Sequence, residues 1–245
     1  MLHSFLGHQY NFSDDFHLQL VIRGISRINP YVPRRARPIT PSILVQFYKH
    51  MDHTNSLHLT VWACSLILFF TLARLGCVLP PSHKFKDVQR ILTKDRINFC
   101  SQGLVVTFLH TKTIQFGRKR LHIPLLSLNS ILCPVMAYSN SLKVLESHDF
   151  IPAFVFTEKS KLQWLTKGLF IRTFRSVSSR FAEDVSSFTG HSFRRGGASW
   201  AFQSGVPGEL IQVMGDWVSD AYKNYLEFTL ENKMQLAALF SLRLP

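Results

Sequence analysis

Acidic side chains are the scarce class in this chain: 15 Asp plus Glu stand against 28 Lys plus Arg, a formal net charge of +13 over 245 residues. Hydrophobic residues make up 46%, enough for a buried core, so the charge belongs to a folded protein and favours a polyanionic partner. Nucleic acid is the first candidate, and a basic protein without a nucleic-acid role is the alternative. Cysteine is sparse as well. Cys64, Cys77, Cys100 and Cys133 stand far apart, with no C-x-x-C and no histidine at zinc spacing. That pattern argues against a structural metal and for reduced, buried thiols. The 11 histidines include no H-E-x-x-H, and no cofactor is called for. No basic stretch leads into an apolar one at the start, so a nuclear or cytosolic protein is expected rather than a secreted one. Long apolar runs are missing too. Residues 61–73 (VWACSLILFFTLA) carry no charge, but they fall short of the roughly 18–20 apolar residues that cross a bilayer. They read as a helix buried on all sides, not as a membrane span. Internal repeats and low-complexity tracts are absent.

The periodicities that are present describe a mainly helical α+β chain. Residues 15–28 have helical spacing with Asp14 or Asp15 as a cap, and residues 29–40 (NPYVPRRARPIT) form a Pro- and Arg-rich linker. Its Arg34, Arg35 and Arg37 suit a strap along a phosphate backbone, or a solvated linker. Thr40 and Pro41 open the next helix. A helix over 57–75 follows, and Pro80-Pro81 ends helicity. From residue 96 the period changes to that of strands, over 96–99, 104–110 and 120–123. The polar turn 111–119 between the last two holds Lys112, Arg118 and Lys119, so a small antiparallel sheet presents a basic hairpin. Residues 154–156 read as a brief strand. Helices are expected over 133–145, 166–181, 191–203, 206–213, 219–227 and 229–242.

The densest chemistry lies between Thr189 and Phe228. His191 and Arg194 stand three apart, which puts them on one helical face. Gly215-Asp216-Trp217 follows, then Tyr222 and Tyr225. Arginine binds phosphate as a rigid fork, histidine moves protons near neutral pH, and tyrosine is a competent nucleophile. Each has a plainer reading: a helix cap, a corner tryptophan, a packed tyrosine. Gly196-Gly197 weakens that reading, because each glycine costs a helix about 1 kcal/mol and such pairs mark a close approach by backbone or ligand.

In this order the residues resemble the tyrosine recombinases (phage integrases and their relatives), and most of all the enzymes of DIRS-like retrotransposons and Crypton-type DNA transposons. The resemblance rests on LVIRGISR (20–27), ITPSILVQFY (39–48), FFTLAR (69–74), KTIQFG (112–117), GHSFRRGGAS (190–199) and GDWVSDAYKNY (215–225). It implies an N-terminal remnant of a DNA-clamping helical domain plus linker over 1–36, and a catalytic domain over 37–245. It implies cleavage and rejoining of DNA through a 3′-phosphotyrosine, without metal or cofactor, by a mobile-element enzyme assembled as a tetramer on DNA. The catalytic positions fall on Arg74, Lys112, His191, Arg194, Trp217 and the nucleophile Tyr225. Arg34, Arg35, Arg37, Arg118, Lys119 and Arg195 are the expected DNA contacts.

Three departures qualify the resemblance. Cys77 stands where many members carry an acid three residues after the first arginine. Trp217 and Tyr225 are eight apart where many integrases have nine, which leaves Tyr222 a rival nucleophile. Only the last helix of an N-terminal domain is recognisable, so the alternative is an inactive or truncated DNA-binding protein of the same fold.

Overall fold

In the computed structural model, which describes residues 15–28, 36–111, 114, 120–143, 152–226 and 234, the chain divides into two units, Met1–Arg35 and Ala36–Pro245. The first holds α1, Phe16–Ile28, whose start is fixed by the Asp15 carboxylate accepting the Leu18 N–H at 3.0 Å. No residue of α1 is buried, and Phe16, Val21, Ile25 and Ile28 are among its exposed apolar side chains.

The second unit begins as its Thr-Pro pair dictates. Thr40 is extended and its hydroxyl accepts the Ile43 N–H, while Pro41 fills the first turn of α2, Pro41–His50. Helix α3, Ser56–Thr71, buries every residue from Thr60 to Phe69. Its three buried hydroxyls donate back along the helix: Thr60 to Ser56 O, Ser65 to Val61 O and Thr71 to Ile67 O. The central apolar segment is therefore a core helix, and no helix among the described residues is long and apolar enough to cross a membrane.

The helix expected over 57–75 ends early, at Thr71. Leu72 turns left-handed (φ 55°, ψ 23°), a conformation that costs a non-glycine residue roughly 1–2 kcal/mol. The chain leaves the helix through Ala73 and Arg74 and enters a second short helix, α4, Leu75–Val78.

Strands β1 (Ile97–Cys100), β2 (Gly103–Phe108) and β3 (Leu121–Leu126) form an antiparallel sheet in that order, with Phe108 opposite Leu121 at the open end. β3 runs past the expected end at residue 123 because Pro124 lies on an edge strand, where a missing N–H breaks no ladder bond. Leu104, Val106, Phe108, Ile123 and Leu125 face the core. After α5, Pro134–Lys143, a hairpin pairs β4 (Val155–Glu158) with β5 (Lys161–Trp164), a strand the sequence reading did not anticipate.

Helices α6 (Lys167–Ser178), α7 (Gly190–Gln203) and α8 (Gly208–Met214) complete the unit with a 3₁₀ turn at Asp220–Tyr225. Residues 229–242, expected to form a last helix, lie outside the described residues except for Met234. The core is aromatic where α2, α6 and α7 meet: Phe174 stacks on Phe47 at 4.7 Å and meets Phe193 edge-on at 4.9 Å. All four cysteines are free thiols, but the expectation of burial fails at two of them. Cys64 and Cys133 are buried, Cys77 is half-buried, and Cys100 is exposed beside the solvent-facing Phe99 on edge strand β1.

The glycine pair of α7 explains itself. A Cβ on Gly196 would lie 1.8 Å from the Ile39 carbonyl oxygen, and one on Gly197 would lie 2.1 Å from that of Phe69. Two backbones, the strap before α2 and the end of α3, press directly on this helix. Its register is therefore fixed against both, and with it the register of His191 and Arg194.

Candidate active site

α7 starts at a capping box. The Thr189 side chain accepts the His191 N–H, and Ser192 reaches back to the Thr189 N–H at 2.9 Å. One turn in, Phe193 points into the aromatic core and Arg194 points the other way, yet Arg194 is only 1% exposed. Its guanidinium lies 3.6 Å from the centre of the Trp217 ring. It donates to Leu72 O and, at 2.7 Å, to Gly215 O, while its Nε is buried without a hydrogen-bond partner. No carboxylate forms an ion pair with it among the described residues. Burial first, then the neighbouring Arg74, pushes its pKa down to about 10, so the group is still cationic at neutral pH. A buried cation with a second arginine beside it and no paired anion is unfavourable unless an anion is supplied from outside.

The strained Leu72 now has a consequence. Its left-handed turn ends α3 and hands its carbonyl to Arg194, and two residues later Arg74 stands half-buried at the head of α4. Arg74, Cys77, Thr111, Arg194, Gly215 and Asp216 line one small pocket. His191, one turn earlier on α7, is more open to solvent. Partial burial, then the charges of Arg194 and Arg74, holds its pKa below the ordinary histidine value, so it is neutral at pH 7 and able to accept a proton. Burial raises the Cys77 thiol, partly offset by Arg74, Arg194 and Lys167, so this position offers the arginines no anion at neutral pH.

The Gly215-Asp216-Trp217 turn closes the pocket. The Trp217 ring folds back so tightly that a Cβ on Gly215 would fall 1.7 Å from it. Asp216 is left-handed (φ 53°), which aspartate tolerates better than most residues. Trp217 faces both tyrosines, at 6.3 Å to Tyr222 and 5.4 Å to Tyr225. They differ in setting. Tyr222 is 5% exposed, with its hydroxyl end against Gly208. Tyr225 is half-buried, its ring centre is 5.8 Å from the Arg194 guanidinium carbon, and its carbonyl accepts the Ser199 hydroxyl at 2.6 Å.

Of the residues singled out from sequence, Arg74, His191, Arg194, Trp217 and Tyr225 converge here from four separate segments. Lys112, Arg34, Arg35, Arg118 and Lys119 lie outside the described residues. Arg37 is exposed, with its guanidinium 5.7 Å from the Phe188 ring centre, and Arg195 is half-buried. Sequence reasoning gave no role to Leu72, Thr111, Ser199 or Asp216. Only Asp216 carried a signal, as a turn-forming residue between Gly and Trp. Among the described residues no group of three or more His, Cys, Asp or Glu is placed to hold a metal ion.

Compared by sequence, the chain matches no family model and no curated protein. Compared by structure, it is similar to recombinases. The XerH site-specific recombinase bound to palindromic difH substrate, a post-cleavage complex, superposes with a TM-score of 0.55 at 11% identity over 85% of this chain. That match takes in 53% of the XerH chain, so this chain spans about half its length. XerA recombinase gives 0.54 at 14% identity over 97% of this chain and 78% of its own. A lambda integrase dimer bound to a COC′ core site gives 0.51 at 14% identity over 86% and 70%. The fold is thus that of the tyrosine recombinase catalytic domain: a mainly helical unit with a small antiparallel sheet.

Proposed function

We propose that this chain breaks and rejoins DNA strands through a covalent phosphotyrosine, with residues 37–245 as the catalytic domain and 1–36 as the end of a DNA-clamping helical domain plus linker. The observation that carries this reading is Arg194: a cation 1% exposed, stacked on Trp217, with no paired carboxylate among the described residues. Arg74, His191 and Tyr225 stand around it. A phosphodiester supplies the missing anion. Arg74 and Arg194 hold its non-bridging oxygens and stabilise the charge that grows there. The Tyr225 oxygen attacks phosphorus, the bond to the 5′ oxygen breaks, and a 3′-phosphotyrosine forms. The phenol proton passes to the neutral His191, and the departing 5′ oxygen takes a proton from Lys112. Because the phosphotyrosine keeps the energy of the broken bond, a 5′-hydroxyl from the same or another strand reverses the step.

The setting of the two tyrosines supports Tyr225 over Tyr222 as nucleophile. The net charge of +13, together with Arg34, Arg35, Arg37, Arg118, Lys119 and Arg195 of the sequence, supports duplex DNA as partner and binding that weakens steeply with salt. The block GDWVSDAYKNY supports a mobile-element recombinase, and the family resemblance it carries implies a tetramer on DNA, in the nucleus or cytosol. A binding-only reading draws on one observation, that two Arg194 donors are already spent on backbone carbonyls. The two readings separate on nicked suicide duplexes with randomised flanks, run on a denaturing gel. The enzyme reading expects an adduct from wild type and Tyr222→Phe and none from Tyr225→Phe. Retained DNA and no adduct from wild type selects the binding module.

A further inference from the structure

Buried hydroxyls inside a helix ordinarily donate to the carbonyl one turn back, as Thr60, Ser65 and Thr71 do in α3. Ser199 does otherwise. It lies inside α7, is 5% exposed, and donates at 2.6 Å to the carbonyl of Tyr225, 26 positions further on. A hydroxyl has one proton to give, so this bond takes the place of the local one. The acceptor belongs to the last residue of the 3₁₀ turn Asp220–Tyr225, an end carbonyl of the kind that helical turns leave for outside donors. The start of that turn is capped by Ser219, whose side chain accepts the Ala221 N–H at 3.4 Å. Its middle is held by Tyr222, buried against Trp217 and with its hydroxyl end on Gly208. Ser199 holds its end, where Tyr225 stands.

We infer that Ser199 is a positioning residue: its hydroxyl ties the Tyr225 backbone to the helix that carries Arg194, and so sets where the phenol stands relative to the phosphate. Arg194 and Ser199 are five positions apart on α7, about 7.5 Å along its axis. Between them lie Gly196 and Gly197, pressed against the backbone carbonyls of Ile39 and Phe69, so this stretch of helix has no room to slide. One rigid segment thus holds both the group that grips phosphate and the group that fixes the attacker. The Tyr225 ring centre is already 5.8 Å from the Arg194 guanidinium carbon and 5.4 Å from that of the Trp217 ring. Attack on phosphorus tolerates little displacement, and a shift of about 1 Å costs on the order of 100-fold in rate. The role in attack rests on the phosphotyrosine reading above; the hold of Ser199 on the turn does not.

The test uses the full chain with Ser199→Ala and Ser199→Thr, and reads amide hydrogen exchange, duplex affinity and single-turnover cleavage of the nicked duplexes separately. Ser199→Ala removes the hydroxyl and leaves a strong helix former in its place. Exchange should rise across residues 221–226 while α7 stays protected. The cleavage rate at saturating duplex should fall about 10- to 100-fold. The Kd for duplex should stay at the wild-type value, because the cations that hold phosphate are untouched. Ser199→Thr keeps the hydroxyl and should restore both exchange and rate. Unchanged exchange in Ser199→Ala overturns the hold on the turn. Raised exchange with a wild-type cleavage rate overturns the role in attack. So does a loss of rate matched by an equal loss of affinity, or one that Ser199→Thr fails to restore at the wild-type melting temperature. Raised exchange in a chain whose wild type cleaves no duplex upholds the hold on the turn and rejects the phosphotyrosine reading, and the role in attack with it.

Discussion

Phe193 and Arg194 are neighbours in α7, and both are buried, at 0% and 1% exposure. Phe193 joins a core of stacked rings shared by α2, α6 and α7, where shape alone decides fit. Arg194 joins a much smaller cluster, with Leu72, Ala198, Ile211, Trp217 and Tyr222, organised around a charge. The first region spends its burial on stability. The second holds a left-handed leucine, a left-handed aspartate and a cation whose pKa burial has lowered, all of which work against stability. Such a cost is carried where the arrangement serves a ligand, and the rigid aromatic side of α7 is what holds it in place.

The sharpest way to break this contrast is to exchange the roles of the two neighbours. Arg194→Met should lower covalent adduct formation by about 10³-fold or more, as loss of preorganised charge stabilisation does. Its melting temperature should stay close to wild type, because an apolar chain of similar size replaces a buried charge. Phe193→Ala should do the reverse, losing about 3–5 kcal/mol of unfolding free energy in denaturant titrations. Cleavage by whatever fraction remains folded should continue. If Arg194→Met proves as destabilising as Phe193→Ala, the two regions do not differ in the way described.

Gly196→Ala comes next. Its Cβ meets a backbone carbonyl that cannot swing away, so the midpoint of denaturation should fall at an unchanged slope, equivalent to about 1–3 kcal/mol. His191 gives a smaller effect that depends on pH. Its folded pKa lies below the unfolded value near 6.5, so the unfolded chain takes up the proton first. The stability due to this group is complete above about pH 6.5 and is lost as pH falls towards the depressed folded value. Cleavage should follow the same direction, flat through neutrality and declining on the acid side, with the inflection below pH 6.5 in a rate profile. His191→Asn should flatten that limb. The smallest change is Tyr222→Phe: cleavage unaltered, and no more than about 1 kcal/mol lost by calorimetry.

Much of the molecule was legible in its sequence, for identifiable reasons. Thr40-Pro41 is a local signal, read within one turn, and it caps α2 in the structure; Thr166 and the Thr189 box cap α6 and α7, although the sequence reading did not single them out. Gly196-Gly197 announced a close approach, though not of which backbone. The end of α3 was not legible, because FFTLAR contains neither glycine nor asparagine at the left-handed position. A bond from Arg194, 122 residues away, marks that place instead. β5 was missed because its hairpin turns through Lys159 and Ser160, both at positive φ, where the usual signal is Asn-Gly. The contact between Thr111 and Asp216 had no local signature at all, since it exists only once the sheet and the α8 turn meet.

The central claim is that the arginine-centred cluster presents Tyr225 to a phosphodiester. Trypsin offers a direct reading, because cleavage after Lys223 places Tyr222 in the peptide 196–223 and Tyr225 in the peptide 224–233. DNA-linked protein recovered from the randomised nicked duplexes would be digested and the modified peptide sequenced by mass spectrometry. The account predicts a nucleotide remnant on 224–233 alone, at Tyr225. A remnant on 196–223, or none on either peptide while the protein still binds duplex DNA, would contradict it.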